Sequence, residues 1–135
     1  MGAAIAGNNV MFVTLEKDTS GNLKYVAKAS AKLSLIKTEQ AGIRAFFQSV
    51  STFLTANSIT HITVRGVTES GLRKGGATAF KILALLQVID GVDVDVIHPK
   101  TMTTWVAKNS TALPSPKYAY LQLALEAAAY TAVKC

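Results

Sequence analysis

The segment Ile59–Lys108, ITHITVRGVTESGLRKGGATAFKILALLQVIDGVDVDVIHPKTMTTWVAK, changes its hydrophobic period several times. Ile59 to Val67 alternates apolar and polar residues, the period of a half-buried strand, and then meets a glycine-bearing loop from Thr68 to Gly76. A mostly apolar stretch from Ala77 to Ile89 reads as a helix, and Val92 to Ile97 as a short strand. Pro99 suits the first turn of another helix running to about Lys108, because its missing N–H is not needed there. Strand, helix, strand, helix in this order predicts parallel strands joined by helical crossovers. Such sheets place their sites at the carboxyl ends of the strands, here Arg65 to Glu69 and Ile97 to Lys100.

Upstream, the first third of the chain reads as strands. Ala3 to Ala6 and Val10 to Glu16 flank a Gly7-Asn8-Asn9 turn, and Leu23 to Leu35 follows the turn residues Asp18 to Asn22. In the third strand, strict alternation puts Leu23, Tyr25, Ala27, Ala29, Ala31 and Leu33 on one face and Lys24, Lys28 and Lys32 on the other. Thr38 is placed to cap a helix from Glu39 to Ala56, in which Ile43, Phe46, Phe47, Val50, Phe53 and Leu54 recur at helical spacing. Downstream, Asn109 to Pro116 reads as a loop and Lys117 to Lys134 as a last, alanine-rich helix. The expected order is β-β-β-α-β-α-β-α-α: an α/β chain with a mixed five-stranded sheet flanked by helices.

With 135 residues, the chain has the size of one globular domain, taken as residues 1–135. Half of its residues are apolar and 16% are charged, which excludes general disorder. Twenty alanines and only ten aromatic residues predict a core of small side chains, with elements approaching closely. No apolar run exceeds about five residues, against roughly 20 for a membrane span, and the first 13 residues carry no basic segment of a secretion signal. A cytoplasmic location is expected. Cys135, the only cysteine, closes no internal disulfide and joins no thiolate cluster. Fourteen Lys and Arg stand against eight Asp and Glu, a net charge of +6 with a pI near 9.6. That balance favours a polyanionic partner such as nucleic acid, although scattered lysines also suit an ordinary soluble surface.

The element order resembles the ribonuclease H-like fold of ribonuclease H, integrases and Holliday-junction resolvases. More specifically, Arg73-Lys74-Gly75-Gly76-Ala77-Thr78-Ala79-Phe80-Lys81, Leu86-Gln87-Val88-Ile89-Asp90 and Asp95-Val96-Ile97-His98-Pro99-Lys100-Thr101 resemble a bacterial family of resolvase-like proteins described as a domain of unknown function. The similarity covers Ile59 to Lys108 well, and the remainder by element order. In nucleases of this fold, the resemblance implies, carboxylates from the first strand, the fourth strand and the last helix hold divalent metals that activate water. Here the first strand offers only Ala3, Ala4, Ile5 and Ala6, and Gly66 falls at the fourth-strand position. Only Glu126 matches an acidic position, and one carboxylate is too few for a two-metal centre. The resemblance therefore implies a non-catalytic relative without a cofactor or metal.

Several residues admit two readings. Glu69, three residues past Gly66, is a remnant acid for a residual nuclease or, more simply, a solvated loop residue. Glu126 pairs with Gln122 at i, i+4 and suits either a remnant or the solvent stripe of its helix. Asp93 and Asp95 alternate with valines as the wet face of a strand. Gly71 to Thr78 is one substitution away from the phosphate-cradling G-x-x-x-x-G-K-T, with Ala77 in place of its lysine, which argues against a nucleotide hydrolase. Glycine-opened backbone N–H groups at Gly75 and Gly76, beside Arg73 and Lys74, still favour a phosphate; the bland account is a close-packing turn. Arg65 either meets a phosphate or pairs with a neighbouring acid. His98 and His61 lack the partners of a catalytic site. Trp105 packs against the sheet or, if exposed, stacks on a base.

The leading expectation is nucleic-acid binding through Arg65, Arg73, Lys74, Gly75, Gly76, Lys100 and Lys108, with no membrane contact. The rival is a protein-interaction or homo-oligomerisation module using an alanine-rich face such as Leu121 to Val133. A residual metal-dependent nuclease using Glu69 and Glu126 is third.

Overall fold

The structure, a computed structural model, describes residues 1–66, 76–109 and 113–134. Strands β1 (Gly2–Ala6), β2 (Asn9–Lys17) and β3 (Leu23–Ser34) are followed by helix α1 (Gln40–Ala56), β4 (His61–Arg65), α2 (Gly76–Gln87), β5 (Asp93–Ile97) and α3 (Pro99–Asn109). A 3₁₀ turn over Ala119–Leu121 leads into α4 (Gln122–Lys134). The sheet has five strands in the order β3-β2-β1-β4-β5. The β1–β2 and β2–β3 pairs are antiparallel, whereas β1–β4 and β4–β5 are parallel, with Gly2 opposite Thr63 and Thr63 opposite Asp95. This is the mixed α/β architecture that the periodicity predicts. Gly7 makes the tight β1–β2 turn at φ +61°, a conformation glycine adopts without a steric penalty.

Three expectations need correction. First, β3 does not keep one apolar face. Phe12 lies opposite Ala31 and Thr14 opposite Val26, so Val13 alone faces the four residues Ala27 to Ser30. Three extra residues form a bulge, and an odd number reverses the alternation. Tyr25, opposite Leu15, therefore packs towards the 3₁₀ turn and α4, whereas Leu33, opposite Val10, packs towards α1. The lysines divide likewise, Lys24 opposite Glu16 and Lys32 opposite Met11. Polar groups released by the bulge are satisfied locally: the Thr14 N–H donates to Ser30 Oγ, and the Thr14 hydroxyl donates to the Ala29 carbonyl at 2.8 Å.

Second, Glu39 rather than Thr38 occupies the N-cap of α1, with extended backbone and no side-chain capping bond. The helix is held by its buried face, Phe46, Val50 and Leu54, and not by a cap. Third, the last helix does not run from Lys117. Tyr118 is extended, its carbonyl accepts the Leu121 N–H, and α-helical geometry begins at Gln122.

Two layers cover the sheet. On one face, Phe46, Val50 and Leu54 of α1 and Ile82 and Leu86 of α2 pack on Ala3, Val10, Phe12, Ile62 and Val64. On the other, Leu121, Ala124 and Leu125 pack on Ala4, Met11 and Val13. Here the small residues matter most. A Cβ on Gly2 would lie 2.7 Å from Ala128 Cα and closer still to the Ala124 oxygen and the Ala128 nitrogen, so α4 rests on β1 backbone to backbone. Thr63 is buried in this layer, and its hydroxyl bonds that of Thr131. No helix among the described residues is long and apolar enough to cross a membrane.

Candidate nucleic-acid interface

The parallel β4–β5 pair brings the two expected strand ends together. The Gly66 N–H donates to the Ile97 carbonyl at 2.8 Å, which sets Arg65 and Gly66 beside the start of α3. His98 is the cap of that helix: its Nδ1 accepts the Lys100 N–H at 3.1 Å, and its carbonyl accepts the Met102 N–H at 3.1 Å. An accepting Nδ1 leaves the ring proton on Nε2. His98 thus has a positional role, fixing the first turn that carries Lys100.

From there α3 presents one exposed stripe. Lys100, Thr104 and Lys108 follow at i, i+4 and i+8, and with Thr101, Trp105 and Tyr130 they line a shallow depression of about 410 Å³ between α3 and α4. Trp105 meets Tyr130 edge to face, with centroids 5.4 Å apart and planes at 72°. It therefore packs on α4, and it borders the depression half-buried. Two ammonium groups, two threonine hydroxyls and an aromatic wall suit a phosphate-bearing ligand.

Arg65 sits on the opposite flank of α3. Its guanidinium reaches the Thr103 hydroxyl at 3.5 Å and makes no ion pair among the described residues. At the other end of β4, His61 Nε2 lies within hydrogen-bond distance of the Asp95 carboxylate, at 2.8 Å, on an exposed part of β4 and β5. Asp95 is thus an exposed strand acid, as its alternation predicts. Gly76 opens α2, while Glu69, Arg73, Lys74 and Gly75 lie outside the described residues.

Among the described residues the acids do not assemble a two-metal centre. Glu126 is half-buried and accepts the Gln122 amide at 3.1 Å. At Gly66, a Cβ would stand 3.2 Å from the Ile97 carbonyl oxygen and 3.4 Å from a Val96 methyl, so a side chain there would be directed at β5. Among the described residues no three His, Cys, Asp or Glu side chains come together.

One feature escaped the sequence. Tyr118 and Tyr120 stack, their centroids 5.2 Å apart and planes within 7°, with Lys32 Nζ 4.8 Å from the Tyr120 ring centre and Lys117 Nζ 5.4 Å from that of Tyr118. The Lys-Tyr-Ala-Tyr spacing was its only trace, since Lys32 comes from β3.

No curated protein matches the chain. Among solved structures it is similar to Thermus thermophilus RuvC in complex with a Holliday junction substrate, at 13% identity and TM-score 0.70, covering 94% of this chain and 88% of that one. A second Thermus thermophilus RuvC structure gives TM-score 0.64 at 13% identity, covering 94% and 89%. A Fowlpox virus resolvase in complex with substrate Holliday junction DNA gives TM-score 0.53 at 14% identity, covering 98% and 93%. At these identities the likeness establishes the fold, which is ribonuclease H-like and of the resolvase type. Over residues 1–134 the sequence matches the family described as "Protein of unknown function (DUF3010)", and the chain belongs to that family.

Proposed function

We propose that the chain is a single, non-catalytic ribonuclease H-like domain that binds nucleic acid through a basic face on α3. The observation that carries this reading is the stripe Lys100, Thr104 and Lys108 beside Trp105, on a helix that starts at the carboxyl end of β5. Arg65 extends the face along the other flank of α3, and Arg73, Lys74 and Gly75, from the segment before α2, supply further phosphate contacts together with Gly76 at the start of that helix. Two of the similar structures hold Holliday junctions, which makes branched DNA a natural first substrate. The absent first- and fourth-strand acids support binding without cleavage. Of the surface named for the rival interaction module, Leu121, Ala124, Leu125, Ala127, Ala128 and Ala129 are buried inside the chain, which leaves Leu123 and Val133 as its exposed apolar residues.

Fluorescence polarisation with single strand, duplex, RNA–DNA hybrid and four-way junction, at low and moderate salt, tests the reading. Lys100→Ala with Lys108→Ala should weaken binding to every probe and lower the salt slope by about one per lysine that meets a phosphate. Unchanged affinity and slope would remove the α3 face; no binding of any probe at low salt would remove nucleic acid. Cleavage of a junction in the presence of manganese, lost on Glu69→Gln or Glu126→Gln, would establish the residual nuclease instead.

A further inference from the structure

Tyr118 and Tyr120 are 47% and 46% exposed, although stacked rings of this size ordinarily bury against a core. What lies over them is the ammonium of Lys32 on one ring and of Lys117 on the other, both on exposed side chains. We propose that this lysine-flanked tyrosine pair is a stacking platform for an unpaired base, so that the chain selects nucleic acid with single-stranded segments. This deepens the nucleic-acid reading above and rests on it.

The chemistry runs in one direction. A π face accepts either a cation or a base, and stacking of a base on an exposed aromatic ring is the stronger of the two. A lysine displaced from a ring keeps its charge on a flexible stem, within reach of the phosphate that accompanies the arriving base. Ring and ammonium thus match the two halves of a nucleotide. Because every base has a π face, the platform distinguishes unpaired from paired strands and is tolerant of sequence. A paired base keeps its faces inside the duplex stack, so blunt duplex gains nothing from the tyrosines.

The test compares labelled oligothymidylate of roughly 16 nucleotides with a blunt duplex of the same length, by fluorescence polarisation. Tyr118→Ala with Tyr120→Ala should weaken oligothymidylate binding by about tenfold and leave duplex binding unchanged. Tyr118→Phe with Tyr120→Phe should retain wild-type binding, since the ring and not the hydroxyl makes the stack. The pair Tyr118→Leu and Tyr120→Leu keeps the apolar bulk and should fail like alanine, which separates stacking from a packing defect. Wild-type affinity for oligothymidylate in both the alanine and leucine pairs overturns the platform alone, as does an equal loss on duplex. If wild-type protein binds neither probe at low salt, the platform falls together with the α3 interface.

Discussion

The two faces of the sheet are held by opposite kinds of contact. Towards α1 and α2 the layer is built from large side chains: Phe12 is fully buried and tilts against Phe53 at 5.5 Å, with Leu54, Ile62, Ile82 and Leu86 around it. Towards α4 the layer is built from what is missing: Gly2, Ala4, Ala124 and Ala128 let the helix backbone settle on β1. A large-residue contact loses energy by truncation, since surrounding groups relax only partly into the void. A backbone contact loses it by enlargement, because a main chain has no rotamer to retreat into. The same sheet should therefore respond to substitution with opposite preferences on its two sides.

Phe12→Ala should produce the largest effect, a loss of about 3–5 kcal/mol of stability by denaturant unfolding. Gly2→Ala should follow, destabilising by about 3 kcal/mol, at the upper end of overpacking, for the addition of one methyl group. Wild-type unfolding of Gly2→Ala would show that α4 can shift on β1 and would dissolve the contrast. Thr63→Val sharpens it within the α4 layer: the shape is kept, the bond to Thr131 is lost, and about 1 kcal/mol should go with it. The smallest effect lies outside both layers, in the β2–β3 turn. The Asn22 N–H, at 2.8 Å, and then the Ser20 N–H, at 2.9 Å, hold the Asp18 carboxyl below the usual carboxylate range. A carboxyl depressed on folding stabilises above its unfolded pKa, and that contribution disappears as pH falls through the lower folded value. Asp18→Asn should therefore lower the melting temperature slightly at neutral pH, and the difference from wild type should close in strong acid.

The α3 stripe was legible because it is local. Lys100, Thr104 and Lys108 share a helix, and a spacing of four places them on one face wherever that helix docks. The lysine-flanked tyrosine pair was not, because the ammonium over Tyr120 comes from Lys32 on β3, far away along the chain. The Tyr130 neighbour of Trp105 is illegible for a related reason: periodicity marks the tryptophan as inward-facing, and only the docking of α4 decides that it meets Tyr130.

Element order, the parallel join of β4 and β5, the reliance on small residues and the shortage of acids at the expected positions can all be read along the chain, since each follows from period, residue size or residue identity. Which face each half of β3 presents emerges with folding alone, because an odd bulge reverses alternation without disturbing composition. Folding likewise decides that the alanine face of α4 is internal. An apolar helical stripe is the same in sequence whether it covers its own sheet or another molecule, and here Gly2 and the alanines let its own sheet come close enough to take it.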